Sequence, residues 1–194
     1  MKFKIFKFGS VTSTNDVAIN LIKKEKKEIG CIYAKKQTKG RGTFGKKWIS
    51  KQGNLFSTIF FPLKNNYPPF SEFSMINPII ISNVIKHFCY KKKITLKWPN
   101  DIFVNGRKIC GILQEIVTSN NKQYLLIGIG VNIISSPKVN NQYKTTNILT
   151  ETKKKPSVKK IIKLITSSYE KFFFNLNSYN FKNFKKKAEF MAAD

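Results

Sequence analysis

The sequence QTKGRGTFGKKW, at residues 37–48, brings three glycines, four cationic side chains and one indole into a single short segment. Glycine lets backbone N–H groups approach a phosphate closely, and lysine and arginine complement the charge of the phosphate. Trp48 adds a flat apolar surface at the end of the segment. The segment therefore predicts a loop that binds an anionic, nucleotide-like ligand.

The glycines of this loop also fit the spacing of a dinucleotide-binding fingerprint, at Gly40, Gly42 and Gly45. That fingerprint must open a helix, whereas residues 55–61 are rich in β-branched and aromatic side chains and predict a strand. An acidic residue should also follow about twenty positions later to hold a ribose, and the next one here is Glu72. The surrounding sequence thus excludes a nicotinamide site.

The composition of the chain indicates one folded catalytic domain. Its 194 residues are enough for one filled core, and the 41% of apolar and 13% of aromatic residues exclude a disordered chain. The formal net charge is +26, but the lysines are spread along the whole length and no nucleic-acid-binding motif accompanies them. We therefore expect a solvated lysine surface and no specific DNA binding.

The three cysteines, Cys31, Cys89 and Cys110, lie far apart without paired spacing. This pattern favours reduced thiols in the cytoplasm and argues against a zinc site. Lysines interrupt the apolar start of the chain, so no secretory signal is predicted, and the apolar runs are too short to span a membrane. The single histidine, His87, lies on a predicted amphipathic helix and is expected at the surface or in packing.

Hydrophobic periodicity predicts an α+β fold with a mostly antiparallel sheet and helices packed on one face. Strands are predicted around residues 3–8, 31–35, 54–61, 102–104, 108–117 and 123–131. Helices are predicted after an N-cap at residues 13–16, and over residues 73–90, 158–176 and 181–194. Pro78 is expected to start or kink the second helix, and residues 135–156 are expected to form a polar, mobile connection.

The dipeptide Asn-Gly at residues 105–106 is the strongest short-range hairpin signal in the chain. The hairpin brings Asp101 and Lys108 onto adjacent strands, where they either face one pocket or form an ordinary cross-strand ion pair. The segment GIGVN at residues 128–132 ends the next strand. Its glycines would admit a ligand against the backbone, and Asn132 would offer an amide to a base edge.

Four segments together resemble the catalytic domain of the biotin protein ligases. They are STN at residues 13–15, the GRG loop at residues 40–42 with the trailing Trp48, KWPND at residues 97–101 with RKICG at residues 107–111, and GIGVN at residues 128–132. Their order and spacing match that family over about residues 8–190. The resemblance implies a biotin/lipoate ligase fold, similar to that of class II aminoacyl-tRNA synthetases.

The resemblance also implies a two-step reaction. The biotin carboxylate would attack the α-phosphate of ATP, with Mg²⁺ near Asp101, and a lysine in the biotin carboxyl carrier domain of a carboxylase would then accept the biotinyl group. Lys108, Arg41 and Asp101 would be catalytic. By the same resemblance the biotin-binding residues are Ser13, Thr14, Asn15, Gln37, Gly40, Arg41, Lys108 and Gly111, and the ATP-binding residues are Gly42, Thr43, Gly45, Trp48, Asn100 and Asn132.

The sequence departs from the family pattern in two respects. Many members carry an N-terminal winged helix-turn-helix domain, and most end in a small β-barrel domain. Residues 1–194 are expected to hold the single catalytic domain without either of them, which predicts no repressor function. Thr43 stands where the family usually has a second arginine in the glycine loop. This difference predicts a looser hold on the adenylate.

Two other functions are compatible with parts of the sequence. Lipoate or octanoate protein ligases share the fold and the use of a lysine, but they lack the GRG loop with its following Trp48. Their acyl tails also carry no ureido ring to contact Ser13 and Gln37. An inactive ligase fold could instead act as a basic nucleic-acid-binding module, with salt-sensitive binding to random DNA and no ATP turnover. Formation of biotinyl-adenylate separates these alternatives.

Overall fold

A mixed β-sheet runs through the chain in this computed structural model, which describes residues 1–137 and 143–192. The strands are β1 (Ile5–Val11), β2 (Gly30–Gln37), β3 (Leu55–Pro62), β4 (Ile94–Lys97), β5 (Asp101–Val104), β6 (Arg107–Ser119) and β7 (Lys122–Val131). The helices are α1 (Thr14–Lys23), α2 (Phe73–Phe88), α3 (Ile148–Thr152), α4 (Val158–Phe174) and α5 (Phe181–Phe190). Within the described residues the strand order is β1-β2-β3-β7-β6-β5-β4.

The pairing of the strands agrees with the expected, mostly antiparallel sheet. β1 runs parallel to β2, and the pairs β2–β3, β3–β7, β7–β6, β6–β5 and β5–β4 are antiparallel. A parallel pair requires a crossover connection, and α1 provides it between β1 and β2. The predicted α+β class is therefore confirmed.

Two tight turns set the register of the meander formed by β5, β6 and β7. Asn105 and Gly106 have φ angles of 50° and 71° in the turn between β5 and β6. Asn120 and Asn121 have φ angles of 49° and 56° in the turn between β6 and β7. Asparagine and glycine tolerate such left-handed angles, and these turns match the twist of the flanking strands. The hairpin predicted from the Asn-Gly dipeptide is confirmed.

The larger hydrophobic core lies between one face of the sheet and the helices α2 and α4. Alternate residues of β3, namely Leu55, Ile59 and Phe61, are buried in it together with Ile81 of α2 and Ile165 of α4. Full burial of one such side chain contributes about 1.5–3 kcal/mol relative to its exposure. This face of the sheet therefore supplies most of the stabilising contacts.

The helix α1 packs on the opposite face of the sheet, where a smaller cluster contains Ile22, Phe60 and Leu126. Ser13 is the N-cap of α1, and its Oγ accepts a hydrogen bond from the Asn15 backbone N–H at 3.2 Å. The expected placement of helices on one face holds for α2 and α4, and α1 departs from it. A cavity lies beside α1 on its face of the sheet.

Some helix and strand boundaries differ from those predicted. β4 has no predicted counterpart, because its four residues are too few for alternation to show. α3 lies within the connection expected to be mobile, and Pro78 lies inside α2 and does not start it. Residues 138–142 of that connection and residues 193–194 of the predicted last helix are outside the described part. None of the helices described is long and apolar enough to cross a membrane.

Candidate active site

A cavity of about 80 Å³ lies on the α1 face of the sheet. Its walls come from the start of α1, the loop at residues 37–48, the turn before β5 and the facing parts of β6 and β7. The predicted site residues that line it are Ser13, Thr14, Asn15, Gln37, Arg41, Gly42, Thr43, Trp48, Asn100, Asp101, Lys108 and Gly111. Ligand pockets usually measure about 300–1,000 Å³, so a nucleotide-sized ligand requires part of this wall to move.

The wall formed by the start of α1 presents neutral hydrogen-bonding groups. The Thr14 backbone N–H and hydroxyl both donate to Gln37 Oε1, at 2.8 and 3.1 Å. Gln37 Nε2 donates to Ser50 Oγ at 3.1 Å. Ser13 and Thr14 are each only 3% exposed. Because these buried groups are fixed by their partners, the wall suits a neutral polar group of a ligand.

Asn15 connects α1 to the floor of the cavity. Its amide oxygen accepts from the Thr58 hydroxyl at 2.5 Å, and its amide nitrogen donates to Glu115 at 2.5 Å. The amide lies directly over Gly128, where an added Cβ would come within 2.6 Å of Asn15 Oδ1. Gly128 therefore makes room for a side chain of the protein, whereas the sequence suggested that it made room for a ligand.

The Trp48 indole is seated on two glycines of the sheet. A Cβ added at Gly111 would lie 2.6 Å from the ring, and one added at Gly130 would lie 2.4 Å from it. The indole Nε1 is buried there without a hydrogen-bond partner among the described residues. An unsatisfied buried donor costs about 1–3 kcal/mol. This cost lowers the free energy needed to move the indole off the two glycines when a ligand enters the cavity.

The glycine loop is a small hairpin over the cavity. The Trp48 N–H donates to the Gly40 carbonyl oxygen at 2.9 Å and closes the base of this hairpin. A Cβ added at Gly40 would lie 2.6 Å from the Trp48 carbonyl oxygen, so glycine allows the two arms to meet. Near the tip, Asn100 Nδ2 donates to Thr43 Oγ1 at 3.1 Å. This bond ties the loop hairpin to the segment before β5.

Arg41 is held by two carboxylates at the mouth of the cavity. Its guanidinium donates to Glu115 through two bonds, at 2.9 and 3.0 Å, and contacts Asp16 at 2.9 Å. The Arg41 side chain is 39% exposed, and exposed ion pairs contribute only about 0–1 kcal/mol each. A polyphosphate can therefore compete for this guanidinium at low cost.

A more buried ion pair joins Lys108 to Asp101. Lys108 Nζ lies 2.7 Å from Asp101 Oδ2, and the side chains are 12% and 14% exposed. The other carboxylate oxygen, Oδ1, is buried and has no hydrogen-bond partner in the part of the chain that the structure describes. Lys108 Nζ also lies 4.8 Å from the centre of the Tyr143 ring and 5.7 Å from that of Trp48. These contacts fix the ammonium within the cavity and leave Asp101 Oδ1 without a partner among the described residues.

A return segment, residues 143–152, pairs with the backbone of Lys108 at the start of β6. The Lys108 N–H donates to the Lys144 carbonyl at 2.8 Å, and the Thr146 N–H donates to the Lys108 carbonyl at 2.9 Å. Glu151 of α3 is buried and accepts from Thr146 Oγ1 at 2.6 Å and from Arg107 at 2.8 Å. Loss of Thr146 or Arg107 would leave the buried Glu151 carboxylate short of a partner, so Glu151 anchors the return segment to the β5–β6 hairpin.

Three residues of the predicted set do not line the cavity. Gly40 closes the base of the loop hairpin, and Gly45 lies near its tip in open space with a φ of 70°. Asn132 is 2% exposed, and its Nδ2 donates to the Thr146 carbonyl at 3.1 Å. The Asn132 amide nitrogen thus helps to hold the return segment, and its contact with a base edge stays a prediction.

Sequence reasoning missed Asp16, Glu115 and Tyr143, which hold the cations of the site. Glu115 lies an even number of positions after Gly111 on β6, so strand alternation could have placed both on the cavity face. Asp16 lies in the first turn of α1, directly after the STN segment. Tyr143 had no local signal, because the return segment reaches Lys108 only through pairing between residues distant in sequence.

Asp101 is the carboxylate of the cavity lining that could hold a magnesium ion. No group of three or more His, Cys, Asp or Glu residues in ranges 1–137 and 143–192 could hold a metal. Magnesium in nucleotide sites is usually bound by one or two carboxylates together with substrate phosphates, and the unpartnered Asp101 Oδ1 suits that arrangement.

Cys110 lies next to this cavity and is not a nucleophile. Burial raises the pKa of its thiol, and the Asp101 carboxylate raises that pKa further, so the thiol stays protonated.

Comparison with known sequences shows the family of the chain. The sequence profile described as the biotin/lipoate A/B protein ligase family matches residues 7–132. The bifunctional ligase/repressor BirA of Escherichia coli (strain K12) is 32% identical over 125 residues, which are 63% of this chain and 38% of that protein. The match therefore spans less than half the length of this relative.

Two solved structures are similar over nearly the whole chain. The biotin protein ligase from Aquifex aeolicus in complex with biotin and ATP has a TM-score of 0.80 at 25% identity, over 97% of this chain and 78% of that chain. The biotin protein ligase from Leishmania major in complex with biotinyl-5-AMP has a TM-score of 0.78 at 26% identity, over 98% and 81%. The expected fold is confirmed. With its profile match over residues 7–132, the chain belongs to the biotin/lipoate A/B protein ligase family.

Proposed function

We propose that the chain is an ATP-dependent ligase that activates biotin as biotinyl-5′-AMP and transfers the biotinyl group to a lysine of a biotin carboxyl carrier domain. In the first step a carboxylate oxygen of biotin attacks the α-phosphorus of ATP, and pyrophosphate leaves. In the second step the lysine amine attacks the biotinyl carbonyl carbon, AMP leaves, and the amine loses a proton to solvent. The family match and the likeness to ligases solved with biotin and ATP or with biotinyl-5-AMP support this proposal.

The observation that carries the proposal is the combination of a fixed cation and neutral hydrogen-bonding groups in one cavity. A carboxylate must approach a phosphate in the first step, and two unit charges 4 Å apart repel by roughly 4 kcal/mol at an effective dielectric constant of 20. Lys108 and Arg41, which both line the cavity, would offset this repulsion. A cation fixed before the reaction stabilises the developing charge most effectively, and Lys108 is fixed on several sides.

We assign the ureido ring of biotin to the wall formed by Ser13, Thr14 and Gln37. This ring is neutral, so it needs hydrogen-bond donors and acceptors in fixed positions and not a charge. The buried network of Thr14 and Gln37 has that character. Gly111 and Leu113, which line the cavity on β6, would border the acyl tail. With the ureido ring at the neutral wall and the acyl tail along β6, the carboxylate of biotin would lie near Lys108.

We assign the phosphates of ATP to Arg41, Lys108 and the backbone near Gly42, and the adenine ring to Trp48. Stacking of a base on an aromatic ring is worth about 1–3 kcal/mol. Movement of the indole away from Gly111 and Gly130 would expose the face that now lies on them. Thr43 and Asn100, which already hydrogen-bond to each other, would follow the nucleotide on that side.

Magnesium bound with the nucleotide would neutralise part of the charge on the phosphates. Asp101 would hold it through Oδ1, the buried oxygen that lacks a partner within the described residues. Its other oxygen, Oδ2, orients Lys108 at 2.7 Å. One carboxylate would thus contact both the magnesium ion and Lys108.

We further propose that the protein works in the cytoplasm. Cys31, Cys89 and Cys110 are all free thiols and all buried. Free cysteines persist in reducing compartments, which supports this location.

The proposed function is tested with the purified chain, biotin, Mg²⁺ and ATP labelled at its α-phosphate. Labelled biotinyl-adenylate, separated by thin-layer chromatography, should appear only when biotin is present. Lipoate and octanoate in place of biotin are the controls, because other ligases of the same fold use them. Adenylate formed from these acids in preference to biotin would reassign the substrate. The absence of any adenylate would refute the ligase function.

A further inference from the structure

An aromatic side chain stands in solvent at the tip of the loop hairpin. Phe44 is 91% exposed. Its backbone has a φ of 54° and a ψ of 41°, a left-handed conformation that bulky side chains rarely adopt. The left-handed backbone is unfavourable for the folded chain by itself, and the exposed ring gains no stabilising burial within it. A contact with another molecule would explain why the ring is presented there.

The tip is held in place by hydrogen bonds on both sides of Phe44. The Gly42 N–H donates to the Lys46 carbonyl at 2.6 Å, and the Lys46 N–H donates to the Thr43 carbonyl at 3.1 Å. Asn100 Nδ2 donates to Thr43 Oγ1 and ties the tip to the wall of the cavity. The phenyl ring is therefore displayed from a defined position at the candidate active site.

The surroundings of the ring indicate what kind of molecule it would contact. Gly42, Thr43 and Lys46 line the cavity, whereas Phe44 does not. Residues 37–48 carry four cationic side chains and no acidic one; Arg41 among them is paired with Asp16 and Glu115, and the exposed lysines are Lys39, Lys46 and Lys47. An exposed aromatic ring within a cationic rim fits a protein surface that offers an apolar patch beside acidic side chains.

We propose that Phe44 docks the acceptor domain during the transfer step, an inference that rests on the proposed ligase function. In that step the acceptor lysine must reach the mouth of the cavity, where its amine attacks the carbonyl carbon of biotinyl-5′-AMP. The bond from that carbon to the AMP oxygen breaks, and the amine loses a proton to solvent. The Phe44 ring, beside the mouth of the cavity, binds the surface of the acceptor domain around that lysine. Aromatic residues often dominate the affinity of such protein interfaces.

Under this proposal, loss of the Phe44 ring affects the transfer step and not the formation of the adenylate. Biotin and ATP bind inside the cavity, which Phe44 does not line, so loss of the ring leaves adenylate formation unchanged. Hydroxylamine, a small nucleophile, captures the adenylate without docking and is equally unaffected. Only transfer to a folded acceptor domain depends on the ring.

The test variant is Phe44→Asn, because asparagine tolerates a left-handed backbone and removes the ring without straining the tip. Phe44→Tyr keeps an aromatic ring and serves as the rescue variant. Phe174→Ala is the matched control, since Phe174 is 86% exposed at the end of α4 and does not line the cavity. Each protein is assayed for biotin-dependent pyrophosphate release, for hydroxylamine capture and for kcat/KM with an isolated biotin carboxyl carrier domain.

We expect Phe44→Asn to lower kcat/KM for the carrier domain about tenfold or more through a higher KM for that domain. Pyrophosphate release and hydroxylamine capture should stay at wild-type values, and Phe44→Tyr and Phe174→Ala should match wild type throughout. Equal transfer by Phe44→Asn and wild type would overturn the proposal, and a higher KM for ATP would assign the ring to the nucleotide. A wild-type chain that makes no adenylate would overturn the ligase function itself, and this inference with it.

Discussion

Lys108 is fixed in the cavity by both its side chain and its backbone. Its ammonium pairs with Asp101 and lies over the rings of Tyr143 and Trp48. Its backbone N–H and carbonyl both bond to the return segment. A cation fixed in this way stabilises a developing negative charge without having to reorganise. In the proposed reaction that charge develops on the α-phosphate of ATP.

Lys108→Gln should lower the rate of biotinyl-adenylate formation about 100-fold or more, because the amide keeps the polarity of the side chain but carries no charge. The variant should also be less stable to urea, since Asp101 stays partly buried and loses its cation. Lys122→Gln is the matched control, because Lys122 pairs with Glu28 at 2.6 Å outside the cavity lining. A folded Lys108→Gln protein with a near-normal rate of pyrophosphate release would exclude the proposed role.

Thr43 is the residue at which the loop is expected to depart from its family. Its hydroxyl accepts a bond from Asn100 and carries no charge, so we expect the site to form the adenylate but to release it readily. Thr43→Arg adds a charge-assisted contact worth about 1.5–3 kcal/mol. It should slow adenylate release about tenfold or more and reduce the labelling of a bystander protein.

The control for this comparison is Thr43→Val, which removes the hydroxyl without adding a charge. Release of labelled adenylate from each variant is followed by rapid filtration, and biotin on the bystander protein is measured by blotting. Equal, slow release from wild type and Thr43→Arg would show that Lys46 and Lys47 already supply the charge that Thr43 lacks.

The loop hairpin and the floor of the sheet fit together as two elements. The indole at the end of the hairpin covers the two floor glycines, and the hydrogen bond from Asn100 holds the tip. The cavity measures only about 80 Å³ in this arrangement. Movement of the loop hairpin away from the sheet would therefore open the site. The contacts of the Trp48 indole with the sheet set the free-energy cost of that movement.

Gly130→Ala should displace Trp48 from the floor, because the added Cβ would lie 2.4 Å from the ring. Overpacking of this kind costs about 1–3 kcal/mol. In a Trp98→Phe background, which leaves Trp48 as the single tryptophan, the tryptophan emission should shift to longer wavelength. Gly9→Ala is the control, since a Cβ at Gly9 has no neighbour within 4 Å. An unchanged emission maximum in Gly130→Ala would show that the indole does not rest on this glycine.

The elements that could be predicted from sequence are those whose signals are local. The Asn105-Gly106 turn needs left-handed angles that these residue types favour, and the Ser13 cap bonds to a residue of its own helix. The proximity of Asp101 and Lys108 follows from the same turn. Each of these features depends on residues that are neighbours along the chain.

Features that depend on distant partners could not be predicted. Tyr143 and α3 take their places through bonds to the β5–β6 hairpin. The glycines of the GIGVN segment show that space is needed but not what fills it. In the structure that space is filled by Asn15 and Trp48, from two separate segments of the chain.

At the scale of the whole molecule, a formal net charge of +26 gives the surface a positive potential. Such a potential raises the association rate of anionic ligands and partners, and salt weakens the effect. Biotin and ATP are both anions, so the charge favours their approach. An acidic acceptor domain would be steered in the same way, in line with the cationic rim around Phe44.

The reactivity of the three buried thiols is a measure of whether the whole chain is folded. Burial raises the pKa of Cys31 to about 12 and that of Cys89 to about 11, and it also raises that of Cys110. Because the thiolate is the reactive form, we expect no reaction with Ellman's reagent in the native chain at about pH 8, and full reaction in urea. Rapid labelling of the native chain would contradict this burial.

The raised pKa values of the thiols also predict a loss of stability above about pH 9, because the thiols of the unfolded chain ionise first.

The most direct test of the proposed reaction follows an oxygen atom. If the biotin carboxylate attacks the α-phosphorus and the acceptor amine then attacks the carbonyl carbon, the bridging oxygen leaves with AMP. Biotin with ¹⁸O in its carboxylate is incubated with ATP, Mg²⁺, the chain and a carrier domain, and the products are analysed by mass spectrometry. We predict one ¹⁸O atom in each AMP and none in pyrophosphate. AMP without ¹⁸O, or ADP as the product, would contradict the proposed activation of biotin.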